Sequence, residues 1–380
     1  DYWNAGFYED ANKIWAIQAE VCNLDEISFP NRIEDIFLLK DNYKLGCLYY
    51  DKRQYDLAQE CWEKYAQEHP DCPQVHRCLA LVYYNKLHLA DKALAEMEQA
   101  FALNTSDSRI FMELDQLYKK LQYPFAERLK KFENHQDLIK ERDDLLLEYI
   151  TLLNLTAQYQ QAKDLIDNHR FHPWEGGEGK VPAQYQLSRI GLAVSCPLTD
   201  DDRKNLLEQC LIYPHNLGEG KLYNAQDNDI YYLLGEYEKG TVGPTTPAAA
   251  LYYNDAKPDK IFYAGMCYLK LGQTAKAKSL FNKLISFGKQ HIFDDVKMDY
   301  FAVSLPDLQV WDGDLNKMNH IHCSFMLALG YKGLALAENA PYMKDQYNQL
   351  SAMHLAEAEK RDINHLGIAE FKIIIDHCNF

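Results

Sequence analysis

The sequence contains no stretch that approaches the roughly 18 uninterrupted apolar residues required by a membrane helix, which excludes a membrane-spanning protein. Positive charge is scarce: 40 Lys and Arg residues stand against 56 Asp and Glu residues, giving a formal net charge of −16. Because phosphate binding depends on clustered Lys and Arg, this balance argues against a nucleic-acid-binding protein. Hydrophobic residues make up 47% and charged residues 25% of the 380 residues, a composition that excludes wholesale disorder.

The ten cysteines form no CxxC pair and are scattered singly through helical patterns, unlike those of a short secreted disulfide scaffold. Their spacing gives no support to a structural zinc site and favours reduced, buried thiols in a cytoplasmic protein. The chain begins at Asp1 with neither the basic start nor the apolar core of a signal peptide. We therefore expect it to be an excised fragment of a longer protein.

Catalytic motifs are also missing, since the sequence has no GxSxG elbow, no HExxH helix and no dinucleotide-binding fingerprint. A phosphate-binding P-loop needs Gly five residues before a Gly-Lys pair and Ser or Thr after it. Those places hold Trp174 and Val181 at one Gly-Lys pair, and His215 and Leu222 at another. We expect no cofactor, no metal and no catalytic residue, and we predict that this fragment is not an enzyme.

Three stretches of the chain share a similar spacing of small and large residues, with the second half of the middle stretch one residue later than in the others. Their members are Leu45, Gly46, Tyr49, Ala58, Trp62 and Pro70; then Leu79, Ala80, Tyr83, Ala93, Met97 and Ala100; then Ala264, Gly265, Tyr268, Ala277 and Phe281. In the first and third stretches the two small residues are 12 positions apart, so that two antiparallel helices can approach closely where they cross. This pattern resembles the tetratricopeptide repeat (TPR), a helix–turn–helix unit of about 34 residues.

Weaker copies of the same pattern fill much of the remaining chain, and no alternating β pattern occurs. The sequence predicts an all-α fold, a right-handed α-solenoid (superhelix) of stacked TPR and TPR-like helix pairs with a concave surface lined by first helices. We divide it into an N-terminal TPR block (1–170), a divergent helix pair (171–228) and a C-terminal TPR-like block (229–380), all in one continuous solenoid. The last run, Ile368–His377, predicts an amphipathic helix that caps the final repeat.

The clearest departure from the repeat is a pair of similar loops, FHPWEGGEGK at 171–180 and IYPHNLGEGK at 212–221. One interpretation is structural: two loops reverse the chain, with Gly supplying unusual dihedrals and Glu capping the next helix. The other is a paired binding site in which Trp174 is a stacking platform and Glu175, Glu178 and Glu219 accept ligand hydroxyls. Paired carboxylates also perform acid–base catalysis on sugars, although the sequence does not show that these converge.

A second departure is an acidic insertion at 294–316. The spacing of Asp312, Asp314 and Asn316 is typical of the start of a calcium loop, but Cys323 stands where an EF-hand needs Glu. His320, His322 and Cys323 are either metal ligands or ordinary packing and capping residues, and the acidic run is either a solvated loop or a contact surface. The candidate ligand-binding residues of the chain are His172, Trp174, Glu175, Glu178, Lys180, His215, Glu219, Lys221, Asp312 and Asp314.

TPR co-chaperones hold acidic C-termini with a clamp of Lys and Asn residues across three repeats. In the register above, the clamp positions hold Tyr43 and Cys47 in the first repeat, Cys78 in the second and Glu113 in the third. That clamp is absent, and the net charge of the chain would also repel an acidic peptide.

Several blocks resemble a more specific family: ELDQLYK (113–119), HPWEGGEGK (172–180), NLGEGK (216–221), PDKIFYAG (258–265) and DYFAVSLPDL (299–308). They are similar to the C-terminal TPR half of a family of long, uncharacterised bacterial proteins whose preceding region is β-rich and similar to sugar-processing proteins. The resemblance covers nearly all of the chain, and it implies a bacterial cytoplasmic protein whose solenoid packs on or serves a carbohydrate-linked domain.

Two functions remain open. The first is a non-catalytic TPR scaffold that binds a protein segment or an adjacent N-terminal domain through its concave face. The alternative is an accessory module of a carbohydrate-active enzyme, with the two GEGK loops and the acidic insertion shaping its sugar site.

Overall fold

The computed structural model describes residues 42–174, 176–223, 225–249, 257–297 and 310–378. Within these ranges the chain forms eighteen α-helices, one 3-10 helix and no strand, which confirms the predicted all-α class, an α-solenoid of helix pairs. Among them, no helix combines the length and the hydropathy that a bilayer crossing requires. The chain divides into two compact units: unit 1 ends at Leu114 and unit 2 begins at Asp115.

The described part of unit 1, from Asn42 onward, contains two complete helix pairs and the start of a further helix. The helices are α1 (Asn42–Asp51), α2 (Tyr55–Glu68), α3 (Pro73–Asn85), α4 (Ala90–Leu103) and α5 (Ser108–Lys120), the last of which continues into unit 2. The predicted small residues lie at the crossings: a Cβ added to Gly46 would overlap the Trp62 indole, and Ala80 and Ala93 are fully buried. These close approaches explain why the sequence forms helix pairs here.

The other helices in the described ranges belong to unit 2. They are α6 (Phe125–Glu133), α7 (Gln136–Ile139), α8 (Asp143–Leu155), α9 (Tyr159–Asp167), α10 (Lys180–Ser195), α11 (Asp200–Gln209), the 3-10 helix His215–Leu217, α12 (Asn228–Leu234), α13 (Tyr237–Gly240), α14 (Pro258–Lys270), α15 (Thr274–His291), α16 (Leu315–Leu336), α17 (Pro341–Arg361) and α18 (Leu366–His377). Phe281 on α15 is fully buried, and its ring touches the glycine faces of both α14 (Gly265) and α16 (Gly333). One aromatic residue thus joins two successive first helices of the repeat.

The last helix, α18, is amphipathic as predicted, with Ile368, Phe371 and Ile374 buried. Its contacts reach well beyond the final pair. The Phe371 ring lies 5.5 Å from Phe262 on α14 and 6.2 Å from Phe325 on α16, and the helix also packs against α10. Since α10, α14 and α16 are each the first helix of a pair, α18 packs against the first helices of three pairs.

Candidate functional site

The two Gly-Glu-Gly-Lys loops lie side by side in unit 2. The backbone N–H of Phe171 donates to the Asn216 carbonyl at 2.8 Å. Further along, the N–H of Gly179 donates to both carboxylate oxygens of Glu219, at 3.1 and 2.9 Å. The similarity of the loops in sequence is therefore matched by direct contact in space.

A groove of about 330 Å³ opens where the loops meet. Its lining combines basic, acidic, aromatic and backbone groups, from Arg170, Phe171, His172, Pro173, Tyr213, His215, Gly218, Glu219 and Gly220. The backbone at Gly218 adopts φ +79°, and a Cβ there would lie 2.6 Å from the Phe171 carbonyl oxygen. Glycine is thus required both by the turn and by the close approach of the loops.

Glu219 performs a structural task within this junction. Its carboxylate accepts the N–H of Gly179, the residue that precedes the first turn of α10 and has φ +71°. Burial raises the pKa of Glu219, and neighbouring Glu178 adds to the rise, although the Gly179 N–H opposes it. The geometry matches the capping interpretation of this Glu, since a carboxylate at a helix N-terminus satisfies a free N–H and complements the helix dipole.

His172 is positioned by a residue that the sequence patterns did not single out. Asp143, at the start of α8, accepts the backbone N–H of His172 at 2.7 Å and lies 3.2 Å from its Nδ1. The other carboxylate oxygen of Asp143 is 2.7 Å from His169 Nε2. Burial opposes ionisation of Asp143, but the hydrogen bonds from the two histidines outweigh it and hold the pKa of the carboxyl below its ordinary value. His172 itself remains largely exposed at the rim of the groove.

The other residues predicted for this site take different places. The Trp174 indole is half-buried and packs against Gly177, where a Cβ would overlap the ring, and it is not among the lining residues of the groove. Glu178 is exposed, and Glu175 lies outside the described residues.

Neither predicted lysine lines the groove. Lys221 Nζ lies 2.7 Å from Asp227 Oδ2 and donates to the Leu211 carbonyl at 2.8 Å, while lying 5.4 Å from the centre of the Tyr213 ring. Lys180 is the first residue of α10, and loss of hydration together with nearby Lys119 lowers the pKa of its ammonium group. Lys221 therefore stabilises the second loop from outside the groove.

The acidic insertion is described only at its two ends. Asp314 caps α16 by accepting the Lys317 N–H at 2.9 Å, and Asp312 is exposed beside it. His322 Nε2 lies 2.8 Å from the Ala248 carbonyl, and the buried Cys323 thiol contacts Asn319. Over the described ranges, no group of His, Cys and carboxylate side chains is arranged to hold a metal ion. Asp314 thus caps a helix, and His322 and Cys323 make packing contacts.

In unit 1, the clamp positions form a network of their own on the first helices. Arg77 of α3 holds the fully buried Glu113 of α5 through two hydrogen bonds of 2.5 and 2.7 Å. Burial and the neighbouring thiols of Cys78 and Cys47 raise the pKa of Tyr43 on α1. The arginine is directed at an internal carboxylate, an arrangement unlike the lysine and asparagine clamp for an acidic C-terminus.

The model of the tetratricopeptide repeat family matches residues 42–71 and 261–286. A tetratricopeptide repeat protein from Parabacteroides merdae ATCC 43184 is similar in structure, with a TM-score of 0.42 and 12% identity over 88% of this chain and 97% of that one. A chain of the Naa15/Naa10 complex bound to HypK-THB gives a TM-score of 0.33 and 13% identity. That match covers 89% of this chain but only 55% of the other. The segments 42–71 and 261–286 are thus tetratricopeptide repeat motifs, one in each unit.

Proposed function

We propose that the chain is a non-catalytic repeat scaffold that binds a segment of a protein partner, or an adjacent domain, through the first helices of unit 1. The observation that carries this proposal is the contrast between the two sets of first helices. In unit 2 the face of α10, α14 and α16 is covered by α18. In unit 1 the face of α1 and α3 carries a row of partly exposed side chains that suits a binding surface.

The row in unit 1 lies along one face of α3 and one face of α1. Arg77, Leu81 and Tyr84 recur at i, i+4 and i+7 on α3, so they share one face, and all three are half-buried. Tyr43 and Tyr50 repeat that spacing on α1 and are also half-buried. Tyrosine and arginine are the residues most enriched at the energetic centres of protein interfaces, because they combine a large contact area with polar tips.

The proposal is tested by site-specific photo-crosslinking in the native host extract. A photoreactive residue at Leu81 should capture a partner, whereas the same residue at Gln99, which is exposed on the second helix α4, should not. The captured protein is identified by mass spectrometry, and its direct binding is measured with the purified components. Equal capture from both positions, or binding that is unaffected by Tyr84→Ala and Leu81→Ala, would show that the first helices are not the binding face.

A carbohydrate-binding role is the second candidate, and the contact between the two loops favours it. A groove that combines a half-buried tyrosine with imidazole and guanidinium groups suits a neutral polyhydroxyl ligand, which needs an apolar ring face and several hydrogen-bonding partners. We expect sugars that bind here to raise the melting temperature of the wild-type chain. Tyr213→Ala and His215→Ala should remove that shift, whereas Tyr342→Ala, a change at a 71% exposed tyrosine on α17, should keep it. A shift retained in all three variants would place the sugar elsewhere.

A further inference from the structure

The face of unit 2 that is covered by α18 contains a buried cluster of charges. On α14, Lys260 Nζ lies 2.7 Å from Asp229 Oδ2, 3.3 Å from Asp259 Oδ2 and 3.3 Å from Glu370 Oε1. The exposed fractions of these side chains are 8%, 1%, 10% and 18%, in the order in which they are named. Glu370 lies on α18, Asp229 on α12, and Asp259 and Lys260 on α14. The cluster is therefore a polar contact of α18 with α12 and α14.

The charges in this cluster do not balance. Three carboxyl groups face one ammonium group, and if all were ionised the cluster would hold a net charge of −2 in a buried place. In addition, Asp229 Oδ1 and the Tyr263 hydroxyl are buried with no hydrogen-bond partner among the described residues. An unbalanced buried charge is relieved when one group changes its protonation state.

Glu370 is the group best placed to hold a proton. Burial raises the pKa of its carboxyl to about 8; Lys260 opposes the rise, while the negative charges of Asp229 and Asp259 add to it. Lys260 also holds the pKa of Asp229 below its ordinary value, so that Asp229 stays ionised. A protonated Glu370 has an O–H to donate toward Asp229, and it removes one of the two excess charges.

We propose that α18 is a pH-sensitive latch, which lies across the first helices of unit 2 while Glu370 holds its proton and loosens when that proton is lost. The apolar contacts of Phe371 with Phe262 and Phe325 supply the attraction at any pH. The carboxyl group decides how much of that attraction is cancelled by repulsion. This inference does not depend on the proposed function, because it concerns unit 2 and requires no partner.

Other titratable groups face Glu370 from the elements packed against α18. They are the Cys210 thiol at the end of α11, Asp229 on α12, and Asp259, Lys260 and Tyr263 on α14. Burial and the nearby carboxylates raise the pKa of both the Cys210 thiol and the Tyr263 hydroxyl, so these two groups stay neutral through the range in which Glu370 titrates. His365 caps α18. Burial lowers the pKa of its imidazole, so His365 is neutral at any pH above the ordinary pKa of histidine.

The direction of the pH effect follows from linkage. A glutamate ionises at about pH 4.5 when α18 is undocked and at about pH 8 when it is docked. Docking is therefore strongest below pH 4.5, weakens as the pH rises toward 8, and becomes constant above that value. With one proton released on opening, the opening constant rises by up to about tenfold per pH unit within this window.

Hydrogen exchange of the 380-residue chain tests the latch. Amide protection in peptides from 366–377 is measured at pH 5.5, 7.0 and 8.5, with each rate divided by its intrinsic value at that pH. In the wild type we expect opening to increase on the order of 100-fold from pH 5.5 to pH 8.5. The protection of α1 and α2 in unit 1 provides the internal reference, and it should change far less.

Glu370→Gln keeps the shape and a donor but cannot ionise, so the protection of α18 in this variant should change by less than about threefold across the pH range. The matched control is Glu359→Gln, which removes an ion pair between α17 and α18 (2.7 Å from Glu359 to Lys372) and should retain the wild-type pH dependence. Parallel pH profiles in the wild type and Glu370→Gln would overturn the latch, and so would pH-independent protection in the wild type.

If Glu370→Gln does not fold, the variant Asp259→Asn tests the latch instead. Removing that carboxylate makes ionisation of Glu370 easier, so the loss of protection should level off at a lower pH than in the wild type. An unchanged profile in Asp259→Asn would overturn the proposal as well.

Discussion

Two buried charge clusters connect the last part of unit 2, from Asn364 onward, to earlier helices of that unit. They differ in how well their charges are balanced. In the first, the fully buried Arg128 of α6 donates twice to Asp115, at 2.9 and 2.8 Å, and once to Glu148, at 2.7 Å. Its remaining terminal nitrogen donates to Asn364, at 2.9 Å, just before α18. Lys119 neutralises Glu148 from the other side, at 3.1 Å.

The second cluster, around Lys260, has the same number of helices to join but a poorer match between donors and acceptors. A guanidinium group offers five N–H donors in a fixed planar fork, whereas an ammonium group is a point charge with three. Arg128 and Lys119 therefore balance two carboxylates, while Lys260 alone faces three. The comparison teaches that a buried cluster is insensitive to pH near neutrality only when both its charges and its hydrogen bonds are matched.

The largest effect is expected from breaking the balanced cluster. Arg128→Met removes the guanidinium group, which leaves the buried Asp115 without its partner and the half-buried Glu148 with Lys119 alone. Breaking one side of a buried ion pair typically lowers the free energy of unfolding by about 3–5 kcal/mol, and we expect that loss here. It is measured by urea denaturation at pH 7, with circular dichroism as the probe.

The control for this variant is Arg361→Met, at an arginine whose ion pair with Glu357 is partly exposed to solvent. Surface pairs of this kind contribute about 0–1 kcal/mol, so this variant should unfold close to the wild type. If both variants lost the same stability, the buried geometry of Arg128 would not be the reason for its effect.

A smaller effect that varies with pH is expected from breaking the unbalanced cluster. Lys260→Met leaves Asp229, Asp259 and Glu370 without a counter-charge, but carboxyl groups can respond by taking up protons. We expect a loss of about 1–2 kcal/mol at pH 6 and about 3 kcal/mol at pH 8.5, where retaining those protons is harder. The same urea titrations at the two pH values measure the difference, and a loss that is equal at both would contradict our account of the cluster.

Low pH provides a further test of the difference between the two clusters, through Glu148 of the balanced one. Burial opposes ionisation of Glu148, but Lys119 and Arg128 outweigh it and lower the pKa of the carboxyl to about 2. Its contribution to stability is therefore complete above pH 4.5 and is lost as the pH falls from 4.5 toward 2. We expect this contribution to be about 2–3 kcal/mol. Comparing the acid unfolding of the wild type and Glu148→Gln measures it, since the variant should lose less stability over that range. Identical acid profiles would show that the carboxylate is not stabilised as proposed.

The sequence predicts one class of contact in this molecule and misses the other. The spacing of Gly46 with Ala58, and of Gly265 with Ala277, predicts the helix pairs because it encodes the crossing of neighbouring helices, and the family match confirms these two motifs. The similarity of the two GEGK loops likewise indicated a pair, and their contact through Glu219 follows that indication.

The buried charges, by contrast, could not be predicted from the local pattern. Asp259 and Lys260 stand in the first turn of α14, where charged residues are ordinarily solvated, but here helices distant in sequence, α12 and α18, pack against them. Arg128 and Asn364 are 236 positions apart, a separation that no repeat of about 34 residues encodes. A repeat pattern specifies which helices are neighbours, whereas these contacts depend on how the end of the chain returns across the array.

The smallest effect is expected at Asn364, an uncharged residue just before α18 that contacts the balanced cluster. Asn364 accepts one N–H of Arg128 and donates to the Lys119 carbonyl, at 2.9 and 3.2 Å. Asn364→Ala leaves a buried guanidinium nitrogen without its acceptor, and such a loss costs about 1–2 kcal/mol. Because neither lost hydrogen bond involves a group that titrates near neutral pH, the loss should be the same at pH 6 and pH 8.5. A loss in Asn364→Ala that grew with pH would mean that the two clusters act as one unit and that the loosening of α18 is transmitted to Arg128.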